Sequence, residues 1–340
     1  MFRLVADVGV DLGTATVLIY VVGKGIVLKE PSVVAIEQDT KRILAIGEEA
    51  WRMIGRTPGN IIAIRPLREG VIADYDVTQS MLRHFLSKVC GRGPLARPRI
   101  MICVPSGVTG VERRAVLQAC AEAGASATFL IEEPLAAALG AGLDIAPPVA
   151  NMVVDIGGGT TDIAVISLGG VVLSESIRVA GDKFDDAIMR FVRKEHNVLI
   201  GERTAEDVKI RVGAAMPGQR DESIEIRGRD LVGGLPKTIR VTSSETAAAM
   251  EESVTAICDR VKSILERTPP ELAADLTDRG IVLTGGGSLL YGFDTYLSSE
   301  THVPVRVADD PVSCVARGTA LAFDFLLNPA KKPPGFPMTT

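Results

Sequence analysis

The sequence is poor in aromatic residues and has no excess of positive charge. Aromatic residues make up 4% of the 340 residues, and Trp51 is the single tryptophan, so stacking surfaces for single-stranded nucleic acid are not expected. The 37 Lys and Arg residues stand against 42 Asp and Glu residues, which leaves a formal net charge of −5. Because no basic surplus attracts a polyanion, general binding of nucleic acid is disfavoured.

Paired cysteines and long apolar runs are also missing. The five cysteines are Cys90, Cys103, Cys120, Cys258 and Cys314. None forms a C-x-x-C pair, which argues against a zinc site or a thioredoxin-like motif and is typical of reduced thiols in a cytosolic protein. The longest apolar run near the start covers residues 17–22, far short of the ~20 residues that a membrane-spanning helix needs. The sequence therefore predicts a soluble protein that meets a membrane only at its surface.

An internal repeat is the most informative feature that the sequence does have. Residues 8–20 read VGVDLGTATVLIY, and residues 152–167 read MVVDIGGGTTDIAVIS. In each segment an apolar run leads to Asp, then to glycine and threonine, and then to a second apolar run. That pattern predicts two strands joined by a tight turn. Because Asp11 and Asp155 lie a domain length apart, the repeat predicts two similar lobes that arose by duplication.

Helical patterns follow the predicted hairpins. Apolar spacing over residues 112–123 predicts a helix that ends with Gly124 as its C-cap, and residues 204–207 (TAED) have capping-box spacing. Strands that alternate with helices indicate α/β lobes. Two prolines within residues 144–150 mark the predicted hinge between the lobes, and the proline-rich tail from Asn328 is expected to be a loose end.

Three glycine-rich stretches each follow a predicted strand. They are residues 11–16 (DLGTAT), 155–162 (DIGGGTTD) and 284–288 (TGGGS). Runs of glycine allow backbone N–H groups to surround an anion such as phosphate. Neither the Walker sequence nor the G-x-G-x-x-G dinucleotide sequence occurs. A tight turn explains any one loop equally well, but two matching hairpins and a third loop together favour a phosphate site.

Three aspartates lie beside these loops: Asp11, Asp155 and Asp162. Carboxylates repel phosphate, and Mg²⁺ bound between the two would neutralise both charges. The alternative is that each aspartate caps its own turn through its side chain. The metal role is favoured for Asp11 and Asp155, and both roles stay open for Asp162.

These segments resemble the phosphate-1, phosphate-2 and adenosine motifs of the actin, hexokinase and Hsp70 superfamily. Over nearly its whole length the sequence is similar to the MreB and Mbl group of bacterial actins. Further matching segments are residues 26–34 (IVLKEPSVV), 55–74 (GRTPGNIIAIRPLREGVIAD), 131–134 (IEEP), 201–210 (GERTAEDVKI) and 267–274 (RTPPELAA). The resemblance implies an actin-like α/β fold with ATP and Mg²⁺ in a cleft between two duplicated lobes.

The resemblance also implies boundaries for the two lobes. Lobe I would comprise residues 1–144 and 318–340, with a smaller inserted subdomain at about 33–73. Lobe II would comprise residues 145–317, with a smaller subdomain at about 182–242.

The family motifs further assign roles to matching residues. Glu133, the second acid of IEEP, would orient the attacking water, and Thr160 would assist at the γ-phosphate. Glu132 is the rival of Glu133, because the apolar residues before them do not fix which carboxylate faces the cleft. A third interpretation is that Glu133 only caps the helix that follows it.

The remaining nucleotide contacts are implied by the same motifs. They are Gly13, Thr14, Ala15, Thr16, Gly157, Gly158, Gly159, Thr160, Glu206, Asp207, Val208, Lys209, Gly286, Gly287, Ser288 and Leu289. Within this set, Glu206 and Lys209 lie three residues apart on one helical face. A surface ion pair between them is an equally good interpretation.

The function implied is that of a filament-forming cytoskeletal protein that hydrolyses ATP slowly, organises cell-wall synthesis and maintains rod shape. Its implied partners are further copies of itself, the cell-wall elongation machinery with its transmembrane morphogenesis proteins, and the cytoplasmic face of the cell membrane. A small-molecule kinase of the same superfamily and an Hsp70-like chaperone module are the alternatives. The sequence shows no separate general base for a phosphate acceptor, which disfavours the kinase.

Membrane contact is predicted at Phe2 and at Leu95, which lies between Arg92 and Arg97 in a loop containing glycine and proline. Burying one leucine is worth only ~1.5–3 kcal/mol, too little to hold a single subunit on a bilayer. A filament repeats the contact at every subunit, so that small contributions add. The alternative is a fully solvated loop.

We therefore expect co-sedimentation with vesicles to require ATP-dependent assembly. Replacing both Phe2 and Leu95 by serine should abolish co-sedimentation, because both apolar contacts are lost, while ATP-dependent light scattering persists. Equal pelleting of the double variant would show that neither residue is an anchor.

Overall fold

Two five-stranded mixed sheets dominate the computed structural model, which describes residues 6–91 and 97–337. Phe2, Arg92 and Leu95 lie outside the described residues. Among those described, the strands are β1 (Asp7–Leu12), β2 (Thr16–Val21), β3 (Gly25–Pro31), β4 (Val34–Glu37), β5 (Ile43–Ile46), β6 (Ile61–Ile64), β7 (Leu67–Arg68), β8 (Val71–Ile72), β9 (Arg99–Val104), β10 (Ala127–Glu132), β11 (Asn151–Ile156), β12 (Thr161–Ser167), β13 (Gly170–Ile177), β14 (Val198–Leu199), β15 (Ser223–Asp230), β16 (Pro236–Thr242), β17 (Ile281–Thr284) and β18 (Val305–Val307).

The α-helices of the same residues are α1 (Glu48–Met53), α2 (Tyr75–Cys90), α3 (Gly110–Ala123), α4 (Glu133–Gly140), α5 (Gly181–His196), α6 (Glu202–Val212), α7 (Ser243–Arg267), α8 (Pro270–Arg279), α9 (Phe293–Thr301) and α10 (Cys314–Leu327). Among them, no helix combines the length and the apolar composition needed to cross a bilayer.

The two large sheets have the same topology. Their strand orders are β3-β2-β1-β9-β10 and β13-β12-β11-β17-β18. In each sheet the first three strands form an antiparallel meander, and the last two run parallel to the first strand of that meander. This equivalence confirms the duplication that the repeat around Asp11 and Asp155 predicts.

A smaller three-stranded sheet follows each meander. One sheet has the order β5-β4-β6 and packs against α1, and the other has the order β14-β15-β16 and packs against α6 and α7. Both sheets lie inside the ranges predicted for the smaller subdomains. The residue boundaries of the lobes stay a prediction.

The central strands are buried because helices cover both faces of the large sheets. All six residues of β11 are buried, and so are the first six of β12. Near-continuous apolar runs are typical of strands in this position. The acidic residues Asp155 and Asp162 interrupt these runs, and the apolar frame fixes where their carboxylates lie.

Of the two helix signals, the structure confirms one and contradicts the other. The predicted helix over residues 112–123 is present as α3, and Gly124 caps it in the left-handed conformation (φ 112°) as expected. The predicted capping box at residues 204–207 is wrong, because α6 begins at Glu202. The carbonyl of Gly201 already accepts hydrogen bonds from the N–H groups of Thr204 and Ala205, so residues 204–207 lie inside the helix.

The prediction of a loose tail is also wrong for the described residues up to 337. The N–H of Gly335 donates to the carbonyl of Leu168 at 2.8 Å, in the turn between β12 and β13. Phe336 is buried and its ring meets Phe325 edge-on, with centroids 4.8 Å apart. An aromatic anchor outweighs the local preference of the prolines for extended, solvated chain.

Helices α4 and α10 cross at the junction of the two large sheets, and two glycines allow their close approach. A Cβ at Gly140 would lie 1.7 Å from the carbonyl oxygen of Cys314, and one at Gly318 would lie 1.7 Å from the carbonyl oxygen of Ala136. Backbone cannot yield as a flexible side chain can. The crossing therefore excludes any residue larger than glycine at these two positions.

We expect Gly318→Ala to lower the free energy of unfolding by about 1–3 kcal/mol, the range of overpacked cores, although alanine favours helix. Chemical denaturation measures this change. Gly110→Ala, in α3 with open space around its Cβ, is the matched control and should cost nothing. Equal stability of the two variants would contradict the packing argument.

Candidate nucleotide-binding site

A cavity of about 390 Å³ lies where the two lobes meet, a size typical of small-molecule sites. Both meander hairpins, the start of α5, one face of α6 and the short 3-10 helix Gly286–Leu289 line it. The predicted site residues among its lining are Asp11, Gly13, Thr14, Ala15, Thr16, Glu133, Asp155, Gly157, Gly158, Gly159, Thr160, Glu206, Lys209, Gly286, Gly287 and Leu289. The structure thus brings most of the predicted site together.

The two hairpin turns are built alike and face each other. The N–H of Gly13 donates to the carbonyl of Thr16 at 3.1 Å, and the N–H of Gly157 donates to that of Thr160 at 2.9 Å. A Cβ at Gly158 would lie 2.6 Å from the Cβ of Ala15. Glycine is therefore required for the close approach, and the turns leave backbone N–H groups accessible to an anion.

Three carboxylates line the base of the cavity, those of Asp11, Asp155 and Glu133, and a fourth, that of Asp162, lies next to them without lining it. Burial and the charge of Asp155 raise the pKa of Asp11 to about 7, and burial raises the pKa of Asp155 to about 6. Burial raises the pKa of Asp162 to about 7, although hydrogen bonds oppose the shift. Burial and the charges of the three aspartates raise the pKa of Glu133 well above its usual value. Ionising all four carboxyl groups at neutral pH without a counter-ion therefore costs free energy.

Asp162 differs from the other two predicted metal residues because it does not line the cavity. It is fully buried, and its Oδ1 accepts a hydrogen bond from the N–H of Ser106 at 2.8 Å. Its Oδ2 has no hydrogen-bond partner among the described residues. Asp155 is fixed instead by Thr284, whose hydroxyl donates to its Oδ1 at 2.6 Å, and it faces the cavity. The prediction of a direct metal contact is thus not supported for Asp162.

The structure separates the two adjacent acids of the IEEP segment. Glu132 ends β10, and its Oε1 lies 3.4 Å from an Nη of Arg113, outside the cavity. Glu133 is the first residue of α4 and lines the cavity, where its Oε1 lies 3.8 Å from the Sγ of Cys103. The change from strand to helix between them turns the two side chains apart.

Three predicted nucleotide contacts lie outside the cavity, and helical geometry explains two of them. Glu206 and Lys209 share the face of α6 that lines the cavity. Asp207 lies on another face and pairs with Arg211 at 2.8 Å, and Val208 is buried in the core. Ser288 turns inward and donates to the carbonyl of Gly285 at 2.7 Å.

The ammonium group of Lys209 has fixed partners within lobe II. It donates to Oδ2 of Asp185 at 2.8 Å and to the carbonyl of Gly181 at 3.1 Å. The alternative of a surface pair with Glu206 is therefore not what the structure shows. Since the N–H of Gly181 in turn donates to the carbonyl of Gly157, Lys209 links α6 to the glycine turn.

Comparison with known proteins identifies the family of this chain. The family model described as "MreB/Mbl protein" matches residues 5–329. The chain belongs to the MreB/Mbl family. It is 56% identical over 318 residues to the cell shape-determining protein Mbl of Bacillus subtilis, which covers 94% of this chain and 96% of that relative. It is 52% identical over 325 residues to the cell shape-determining protein MreB of Escherichia coli, covering 94% of each.

Solved structures of relatives agree with the fold of this MreB/Mbl chain. MreB5 of Spiroplasma citri bound to AMPPNP is 40% identical, with a TM-score of 0.92 over 97% of this chain and 99% of that one. The MamK double helical filament, at 23% identity and a TM-score of 0.79 over 94% of this chain and 98% of that one, shares the fold. The actin-like fold class predicted from the sequence is confirmed.

The cavity of this MreB/Mbl chain fits a nucleotide and a divalent cation. Asp11 and Asp155 present carboxylate oxygens into it, and no described Lys or Arg pairs with them or with Glu133. Oxygen ligands with uncompensated negative charge suit Mg²⁺, which commonly bridges one or two carboxylates and phosphates. These two aspartates are the residues that would hold the ion.

Sequence reasoning missed several residues of the lining: Leu12, Leu18, Lys29, Gly70, Gly181, Asp182, Phe184, Ile210, Gly285, Leu290, Val312 and Val315. Ile210 could have been found, because it lies four residues after Glu206 and so shares its helical face. Gly70, whose N–H donates to the hydroxyl of Thr14 at 3.2 Å, carries no such local signal.

We expect Asp11→Asn to weaken Mg²⁺-dependent ATP binding by about 10- to 100-fold, the range seen when groups around a metal are removed.

In the absence of the cation, burial raises the pKa of Asp11 from its ordinary value of 3.8 to about 7 in the folded protein. Between these pH values the folded protein binds more protons than the unfolded chain, so the free energy of unfolding falls as the pH rises. Asp11→Asn should reduce this fall. Calorimetry and thermal denaturation at several pH values measure the two effects.

Asp207→Asn is the matched control, because Asp207 is exposed on α6 and lies outside the cavity. It should leave both measurements unchanged. Undiminished Mg²⁺-dependent affinity in Asp11→Asn would refute the metal assignment.

Proposed function

We propose that this chain is an actin-like ATPase that assembles into filaments, organises cell-wall synthesis and maintains rod shape. The observation that carries the proposal is the pair of matching Asp–Gly–Thr hairpins that face each other across one cavity. The names of the relatives, cell shape-determining proteins, and the AMPPNP and ADP bound by MreB5 of Spiroplasma citri support it.

The proposed binding mode assigns each part of the cavity to one part of ATP. Backbone N–H groups of the two turns, with Thr14 and Thr160, would bind the phosphates. Asp11 and Asp155 would hold Mg²⁺, which neutralises charge on the phosphates. Glu206 and the 3-10 helix Gly286–Leu289 would border the nucleoside, while Lys209 keeps α6 in place.

Glu133 is the proposed residue that orients the attacking water. Its carboxyl group lies in the cavity at the start of α4, where the helix dipole favours a negative charge. When the charges of Asp11 and Asp155 are neutralised by a cation, the ionised form of Glu133 is favoured and it accepts a hydrogen bond from water. A carboxylate that only orients water is a weak activator, so slow hydrolysis is expected.

Self-association and membrane contact complete the proposal. Assembly into filaments is supported by the MamK double helical filament, which shares the fold. The proposed location is the cytoplasmic face of the cell membrane, with the cell-wall elongation machinery as partner. Because Phe2 and Leu95 lie outside the described residues, their membrane contact stays a prediction. A metabolic kinase is not favoured, since the relatives are cell shape-determining proteins.

Assembly and hydrolysis can be tested together on purified protein with Mg²⁺ and ATP. We expect ATP-dependent light scattering and slow phosphate release without any added acceptor. Glu133→Ala should keep ATP binding and scattering while phosphate release falls by about 100-fold or more, because oriented water is lost and the phosphate cradle remains.

Glu132→Ala is the matched control, since its neighbour Arg113 lies outside the cavity, and it should release phosphate at the normal rate. The opposite pattern would show that Glu132 is the functional acid. Phosphate transfer to a member of a sugar panel, with no scattering, would favour the kinase.

A further inference from the structure

Away from the cavity, the two small subdomains meet through an aromatic contact. The guanidinium of Arg203 stacks on the ring of Trp51, with Cζ 3.9 Å from the ring centroid. Trp51 lies on α1, beside the small sheet of lobe I, and Arg203 lies in the first turn of α6 in lobe II. The contact therefore spans the cleft, one helical turn before Glu206.

Both partners of this contact are half-buried. Trp51 packs against the apolar cluster of Val33, Ala35 and Ala50 beneath the small sheet. The Nη1 atom of Arg203 is buried and has no hydrogen-bond acceptor among the described residues. A guanidinium is weakly hydrated and stacks well on aromatic faces, and such attraction strengthens when the cation is desolvated. The ring face of Trp51 thus meets a guanidinium that is partly removed from water.

Ion pairs that each include an exposed side chain also join these parts of the two lobes. Arg65 lies 4.0 Å from Glu202, and Glu69 lies 3.1 Å from Arg178 and 3.7 Å from Lys183. Exposed ion pairs contribute little and are screened by salt. Compared with these ion pairs, the stack of Trp51 and Arg203 is weakened less by water and salt.

We propose that the Trp51–Arg203 stack is a latch that holds the cleft closed over bound nucleotide and slows its release. The inference rests on the proposed function, which places the nucleotide in the cavity. Helix α6 carries Glu206, Lys209 and Ile210 into that cavity, so opening the cleft moves α6 away from lobe I. Such a movement separates Arg203 from Trp51, and the closed state is therefore favoured by the energy of the stack.

The release rate of a fluorescent ATP analogue, chased with excess ATP on unassembled protein, tests the latch. Trp51→Leu keeps an apolar side chain on α1, and Arg203→Met keeps the stem of the arginine. Each change should speed release by about 2- to 30-fold, the equivalent of one cation–π contact. The double variant should release no faster than the faster single variant, because both changes remove the same contact.

Arg211→Met is the matched control, since Arg211 lies on the same helix but pairs with Asp207 of its own lobe. It should release the analogue at the wild-type rate. Trp51 also gives a second readout as the single tryptophan. Its emission should change when nucleotide is removed from the wild type, and Arg203→Met should show little such change.

Two results would overturn the latch and can be told apart. Single variants that bind the analogue and release it at the wild-type rate would refute the latch while leaving the proposed function intact. The same conclusion would follow if the increase in release rate of the double variant equalled the product of the two single increases. A wild-type protein that binds no analogue would refute the proposed function itself, and the latch with it. Circular dichroism of each variant verifies that the fold is retained.

Discussion

The rest of this structure depends on one constraint, the burial of several acidic side chains close to one another. Asp11, Asp155 and Glu133 meet at the base of the cavity with Asp162 beside them, and burial raises the pKa of each. Without a rigid frame, carboxyl groups of this kind would move apart and become hydrated, which would remove the cause of the raised pKa values. The apolar strands β11 and β12 supply that frame, and the same unfavourable charge is the reason for proposing a cation here.

Duplication explains how the frame brings its acids together. Each lobe contributes the same meander, and each meander ends its first strand with an aspartate before a glycine turn. The two meanders face each other because α4 and α10 cross closely at Gly140 and Gly318. The two glycines do not line the cavity, but they allow close packing of the two helices that contribute Glu133 and Val315 to its lining.

Contacts across the cleft divide into two kinds with different roles. The junction of α4 and α10 is tightly packed. On the other side of the cleft, side-chain contacts such as the Trp51–Arg203 stack and the ion pairs of Glu202 and Glu69 join the lobes. Few contacts of modest strength can break and re-form at low cost. The proposed latch depends on this difference between the two kinds of contact.

The sequence by itself determined the repeat, the three glycine loops and the acids beside them, because those signals are local: each depends on residues that are neighbours along the chain. It also determined that Glu206 and Lys209 share a helical face. Only the tertiary structure places Glu133 rather than Glu132 in the lining of the cavity, leaves Asp162 outside that lining, and brings Gly70 to Thr14. It also docked Phe336 on Phe325, against the local signal of the prolines. Each of these outcomes depends on the direction of a side chain or on a contact between distant segments, and that direction is fixed by how the two lobes pack rather than by the residues on either side.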